Sequence, residues 1–344
     1  MKKSLIALAV LAASGAAMAQ SSVTLFGVVD TGVGYIKNSG GDDKYGLATN
    51  GAATSRLGFR GVEDLGGGLK AGFWLEGAVS PDDGGSSMDF KRRSTISLMG
   101  NFGEVRMGRE QVAGYVKVSG YDLFGQVGMG QFLGWSNGLY GTSGDASGVR
   151  ASNLLSYYTP NMGGFTAAVN YGFGETAGSN KDNRYVGAYV AYDNGPISVT
   201  LAADQNNFFQ GVSLDRSQVA LGASYDLGML KVSGLVQRVE FEPAAGGAKA
   251  RSNNWSLGVA APVGPGTIKA QYASYDEKNS SDDAQQLSVG YVYDLSKRTA
   301  VYTTASFLKN KNNAAASLGG GGLSLAADAG KNQTGFQVGV RHAF

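Results

Sequence analysis

Apolar and polar residues alternate with a period of two along most of this chain. In LKAGFWLE, Leu69, Ala71, Phe73 and Leu75 share one face, and Lys70, Trp74 and Glu76 the other. GFQVGVRHAF repeats the pattern, with Phe336, Val338, Val340, His342 and Phe344 on one side. Such alternation marks β-strands. Together with turn signals it predicts sixteen of them, at 22–36, 55–63, 68–79, 89–99, 102–109, 150–159, 164–173, 184–193, 196–204, 216–226, 229–240, 252–261, 265–276, 285–294, 297–309 and 333–344.

The connections fall into two alternating classes. EDLGGG, GNFG, PNMGG, DNGP, DLG, PVGP and DLSK are short and carry turn chemistry. Between them lie longer polar stretches near 37–54, 80–88, 110–149, 174–183, 205–215, 241–251, 277–284 and 310–332. Strict alternation of short and long puts every long loop at one end of an antiparallel meander. A soluble sandwich has no reason to sort its loops this way, whereas a membrane barrel does. An open sheet edge cannot persist in hydrocarbon, where each unpaired backbone group costs several kcal/mol. The first strand, VTLFGVVDTGVGY, must therefore pair with GFQVGVRHAF. The expected fold is all-β, a 16-stranded antiparallel transmembrane β-barrel with the third external loop, about 110–149, folded into the lumen.

Alternation also assigns faces, because the lipid side must be apolar. Leu57 and Phe59 outward send Arg56 and Arg60 inward. Ile96 and Leu98 outward send Lys91, Arg93, Thr95 and Ser97 inward, and leave Arg92 on the nominal outward phase, free to snorkel or to sit at an interface. Arg106 shares the inward phase with Glu104, Arg150 with Ser152 and Ser156, and Asp30 alternates with Val29. A wall lined by Asp30, Arg56, Arg60, Lys70, Glu76, Lys91, Arg93, Glu104, Arg106 and Arg150 needs water, since unpaired buried charge is expensive. Sixteen strands also enclose more space than side chains fill. These features predict an aqueous pore, with a place in a wall ion-pair lattice as the alternative role for each arginine, above all for Arg60 and Arg106.

The longest irregular segment carries Tyr115, Tyr121, Phe124, Phe132, Trp135 and Tyr140, with Glu110, Asp122 and Asp145 as its acids. Unstructured stretches of this length are usually functional. Folded inside, it would bury its aromatics against the wall and narrow the channel.

Composition sharpens this picture. The start, MKKSLIALAVLAASGAAMAQ, has a basic head, a short apolar run and an Ala17-Met18-Ala19 cleavage pattern, so residues 1–19 read as an export signal and 20–344 as one barrel domain. Without Lys2 and Lys3, 27 basic residues face 27 acidic ones. No global field is then left to attract nucleic acid. Cysteine is absent and His342 is the one histidine, on a lipid-facing or interface phase. No catalytic constellation, cofactor motif or metal-ligand set emerges. Asp42, Asp43, Asp82 and Asp83 lack calcium-loop spacing and read as solvated acids.

SSVTLFGVVDTGVGY, TSRLGFRGVEDLGGGLKAGFWLE, KRRSTISL, GNFGEVRMGR, SYYTPNMGGF, YDLSKRTAVY and QVGVRHAF span the chain from residue 21 to its end. Together they resemble the general porins of beta-proteobacteria, in particular the anion-selective kind found in Comamonas and its relatives. That resemblance implies a homotrimer of sixteen-stranded barrels in the outer membrane of a Gram-negative bacterium, among phospholipid and lipopolysaccharide. It implies a third loop that constricts each pore, and arginines at the constriction: Arg56 in TSRLG, Arg93 in KRRS with Arg92 beside it, and Arg150 in GVRASN. It also implies a barrel-assembly machinery that reads the last strand, ending in Phe344. The function it implies is passive diffusion of small anions and hydrophilic solutes. A channel specific for one solute, and a scaffold for adhesive loops, are the competing readings.

Overall fold

A computed structural model describes residues 22–85, 89–136, 147–209, 213–243, 248–278, 280–320 and 323–344. The expected export signal, Tyr140 and Asp145 lie outside the described residues. The wall begins with β1 (Ser22–Asn38), β2 (Lys44–Thr49), β3 (Arg56–Gly66), β4 (Leu69–Ala78), β5 (Arg93–Gly100) and β6 (Gly103–Gln111). It continues through β7 (Arg150–Tyr158), β8 (Phe165–Gly172), β9 (Tyr185–Asn194), β10 (Ile197–Phe209) and β11 (Ser213–Asp226). β12 (Lys231–Pro243), β13 (Ala250–Val263), β14 (Gly266–Lys278), β15 (Ala284–Asp294) and β16 (Thr299–Asn310) follow. A small hairpin of β17 (Gly319–Gly320) and β18 (Leu323–Ser324) precedes β19 (Gln333–Ala343), the last wall strand.

Neighbours in sequence pair antiparallel around the wall, and β1 pairs with β19 from Val28↔Ala343 to Asn38↔Gln333. The ring is closed, as the end-to-end pairing argument requires. It has sixteen positions because β2 and β3 share one: β3 pairs with Ser22–Val28 of β1, and β2 with Thr31–Ile36. Alternation and turn signals put 44–49 within a long loop. KYGLAT does alternate, with Tyr45 and Leu47 exposed, but the turn residues Asn50 and Gly51 cut it off from the next strand.

Large apolar side chains lie exposed outside the ring: Leu25, Val33, Ile96, Val169, Val190, Leu201, Leu257, Leu287 and Phe336 are each 50–57% exposed. Fully burying one such side chain is worth about 1.5–3 kcal/mol, so a continuous belt of them requires an apolar surrounding. The other phase holds buried polar residues, among them Gln218, Gln237, Asn254, Gln271, Gln286 and Ser288. This inversion of the usual inside and outside is the membrane-barrel pattern.

The short turns gather at one end. Gly195 and Gly264 adopt φ of 55° and 59° with no atom near the position a Cβ would take. Backbone conformation, not crowding, is what calls for glycine there.

Candidate functional site

After β6 the chain leaves the wall through helix α1 (Ala113–Val116) and two 3₁₀ turns, Val118–Tyr121 and Leu133–Trp135. Its polar groups reach one wall strand after another. The amide of Ala113 donates to Asn170 on β8, and that of Gly114 to Tyr185 Oη on β9 at 3.3 Å. Gln218 Nε2 on β11 donates to the Gly114 carbonyl at 2.7 Å. Tyr121 Oη lies 2.8 and 3.0 Å from Ser198 Oγ and Thr200 Oγ1 on β10, and Ser233 Oγ on β12 donates to the Tyr121 carbonyl. The amides of Leu123 and Leu133 donate to Gln271 and Tyr275 on β14, and Gln286 on β15 donates to the Met129 carbonyl. A segment this short reaches so many strands only from inside the ring. Phe132, Trp135 and Tyr115 stack edge to face beneath it, with ring centroids 5.3–5.7 Å apart.

Asp122 organises the segment. Its carboxylate accepts from the amides of Phe124, Gln126 and Phe132 and from the side-chain amides of Gln126 and Gln271, at 2.7–3.1 Å. Burial pushes its pKa up, and these donors pull it back. Burial likewise pushes the Tyr115 hydroxyl up to about 12. Phe124 lies 7% exposed beside this hub, and Lys269, on the same strand as Gln271, approaches its ring at 6.0 Å.

Opposite the hub, the wall of β3 to β7 bounds an open cleft of about 700 Å³. Among the described residues, Arg56, Arg60, Arg92, Arg93, Arg106 and Arg150 line it, against two carboxylates, Glu76 and Glu110. Arg106 is neutralised: its fork takes both oxygens of Glu104 at 2.9 Å, and its other nitrogen pairs with Glu110. Glu110 also accepts from Ser156 Oγ and Tyr158 Oη. Glu76 takes Arg92 at 2.7 Å, Trp74 Nε1 at 3.1 Å and Arg56 at 3.9 Å. Among the described residues, Arg60, Arg93 and Arg150 have no carboxylate within 4.0 Å. Arg93 lies over the Trp74 ring at 4.5 Å, Arg60 lies 5.1 Å from Trp74 and 5.3 Å from Phe26, and Arg150 donates to the Arg92 carbonyl at 2.9 Å. Of the two arginines for which the lattice role counted most, Arg106 is ion-paired and Arg60 is stacked on aromatics.

Four expectations change. Asp30 does not face water: it is fully buried, and its carboxylate accepts from the amides of Gly51, Ala52 and Ala53 at 2.7–3.0 Å and from Tyr302 Oη at 2.6 Å. It holds the break between β2 and β3. Lys91 precedes β5, is mostly exposed and pairs with Asp89 at 2.6 Å, off the cleft. Arg92 also precedes β5, so strand parity does not govern it, and it turns into the cleft. Lys70 sits exposed at the short-turn rim, opposite Asp64 and Met99.

The sequence reading also missed a buried network on the opposite wall. Arg216 and Asp204, 1% and 0% exposed, pair at 2.8 Å. Arg216 also binds Gln218, which with Gln237 and Asn254 continues the chain of hydrogen bonds. Arg216 shares the inward phase opposite Val219, so the parity that located Arg56 was available for it too.

A closed barrel with an apolar exterior, a polar interior and an inward-folded loop defines a membrane channel of the β-barrel class. Residues 5–313 match the Gram-negative porin family, and the chain belongs to that family. It is an outer-membrane porin. It is 55% identical to the outer membrane porin protein 32 of Delftia acidovorans, over the full length of both chains. A major outer membrane protein P.IB of Neisseria meningitidis serogroup B is 31% identical, with 94% of this chain and 99% of that one covered. Among solved structures, the anion-selective porin from Comamonas acidovorans superposes with a TM-score of 0.89 at 52% identity, covering 94% of this chain and all of that one.

Proposed function

We propose that this porin is a passive diffusion channel for ions and small hydrophilic solutes, moderately anion-preferring, with Arg56, Arg93 and Arg150 setting that preference at a constriction formed by the loop at about 110–149. The observation that carries this reading is the charge of the cleft, where, among the described residues, six guanidinium groups line the wall with two carboxylates and Arg60, Arg93 and Arg150 have no carboxylate within 4.0 Å. Guanidinium stays charged at physiological pH and presents several donors. Held at a narrow waist, such groups raise the local concentration of anions and oppose cations. A close pair of charges in water is worth only about 1 kcal/mol and is screened over about 8–10 Å at physiological salt. The preference is therefore moderate and strongest at low ionic strength. The likeness to the anion-selective porin from Comamonas acidovorans supports the same sign.

As parts of this proposal, residues 1–19 are removed on export, three copies of 20–344 assemble, and the chemistry inside is transport without catalysis. Reversal potentials across planar bilayers in a salt gradient test the central claim. The intact channel favours chloride over potassium, and replacing Arg56, Arg93 and Arg150 together by glutamine moves the permeability ratio toward unity. A cation preference, or a ratio indifferent to the triple substitution, overturns the charge mechanism.

A further inference from the structure

The outward face of β11, β12 and β13 carries a groove of about 370 Å³. Leu221, Val236 and Trp255 form one row across it, and Val219, Arg238 and Asn253 the next row toward the long loops. Trp255 leans on Tyr272, ring centroids 5.5 Å apart. Arg238 points outward: Gln237 and Val239 on either side of it are buried, whereas Val236, on its own phase, is 51% exposed.

A guanidinium beside this apolar belt is costly unless it sits near the interface and meets an anion. Its cationic neighbours are already matched. Arg251 pairs with Glu240 and Lys278 with Asp276, both at 2.6 Å. Arg238 has only the amide oxygen of Asn253, which takes its Nε at 3.1 Å. Among the described residues no carboxylate lies within 4.0 Å of it, so both terminal nitrogens are left for another acceptor. The acceptor that suits a guanidinium fork is a phosphate or carboxylate, bound through two parallel hydrogen bonds. Beneath it, the row of Leu221, Val236 and Trp255 offers a mainly apolar surface. The indole lies between the polar Asn253 on the loop side and the exposed Leu257 on the other, an order in which aromatic residues meet lipid headgroups in membrane proteins.

We propose that this groove is a binding site for a phosphorylated lipid of the outer leaflet, its phosphate on Arg238 and an acyl chain lying across Val236 and Trp255. The site lies outside the channel, and its occupancy is independent of ion preference.

Native mass spectrometry of the whole protein tests it, with bisphosphorylated lipid A and its fully dephosphorylated counterpart as probes. The phosphorylated form is retained preferentially. Arg238→Gln lowers its apparent affinity about tenfold, the scale of one charge-assisted hydrogen bond, and Arg238→Lys recovers part of the loss. Trp255→Ala weakens retention of both lipids. Unchanged single-channel conductance in each variant shows that the barrel is intact and that the pore reading is unaffected. Equal retention of the two lipids, or wild-type affinity in Arg238→Gln, overturns the proposal. Dissociation of an oligomer by Arg238→Gln overturns it too, by making the groove a barrel-to-barrel contact.

Discussion

Gly27 and Phe344 exchange two backbone hydrogen bonds, each amide donating to the other's carbonyl at 3.1 Å. The Phe344 ring occupies the space beside Gly27, where an added Cβ would lie 2.4 Å from it and 2.8 Å from the Arg56 carbonyl. Glycine is needed here for close approach.

Gly27→Val should therefore open the end of the seam. Overpacking of this kind costs about 1–3 kcal/mol. The expected result is a lower thermal midpoint and a smaller fraction of folded, heat-modifiable protein on unheated gels. Phe344→Ala in the same background restores part of the loss by vacating the space.

Asp30 offers a sharper test. Removing its carboxylate strands the buried amide of Gly51, the half-buried amides of Ala52 and Ala53, and the Tyr302 hydroxyl at the break between β2 and β3. Each buried unsatisfied group costs about 1–3 kcal/mol, so Asp30→Ala should be among the most destabilising substitutions in the wall. Tyr302→Phe removes one donor and should cost about 1 kcal/mol. Urea unfolding followed by tryptophan fluorescence ranks the two, and a mild Asp30→Ala would show that the carboxylate is not the staple.

Asp122→Ala should leave the ring closed and loosen the loop. Five donors lose their acceptor, while the seam and the wall pairings are untouched. Single-channel records are expected to become noisier, with a larger mean conductance, at nearly unchanged thermal stability. A quiet channel of wild-type conductance would mean that the wall contacts of Tyr121 and Leu133 suffice to hold the loop.

The turn at 39–43 should respond to acid. Tyr35 Oη donates to the Asp43 carboxylate at 2.5 Å and the Asn38 amide donates at 3.1 Å, and the Tyr35 bond is the main cause holding the Asp43 pKa below its usual value. A carboxylate depressed in the folded state contributes fully above its unfolded pKa, near 3.9, and loses that contribution as pH falls through the lower folded value. Exchange of the Asn38 amide should thus quicken below about pH 4 and not between pH 5 and 8. Asp43→Asn should remove the acid response.

The contrast between Arg56 and Asp30 shows how much was legible in the chain itself. Both sit on inward phases that alternation assigns, and the faces of β3 and β4 follow the pattern residue by residue. Period two gives a side chain's face but not its partner. Asp30 is buried because Tyr302, distant in sequence, and the amides of 51–53 converge on it, and nothing local signals that meeting. Arg92 eluded parity for a different reason: it lies one residue ahead of its strand, where the pleat has not begun. Asp122 was legible as an acid in an aromatic loop, but not as a hub: four of its five donors belong to turns of the loop itself and the fifth, Gln271, comes from β14, distant in sequence.

The pairing of β1 with β19 also bears on how the molecule is made. The strand that emerges first finds its second neighbour only after the last one has been synthesised, and the entropy of closing so long a loop falls on that final step. A product interrupted anywhere between them presents two raw sheet margins that hydrocarbon will not accept. Neither margin of the wall is dispensable: β1 and β19 each supply the other's missing partner, and the cylinder exists only where both are present.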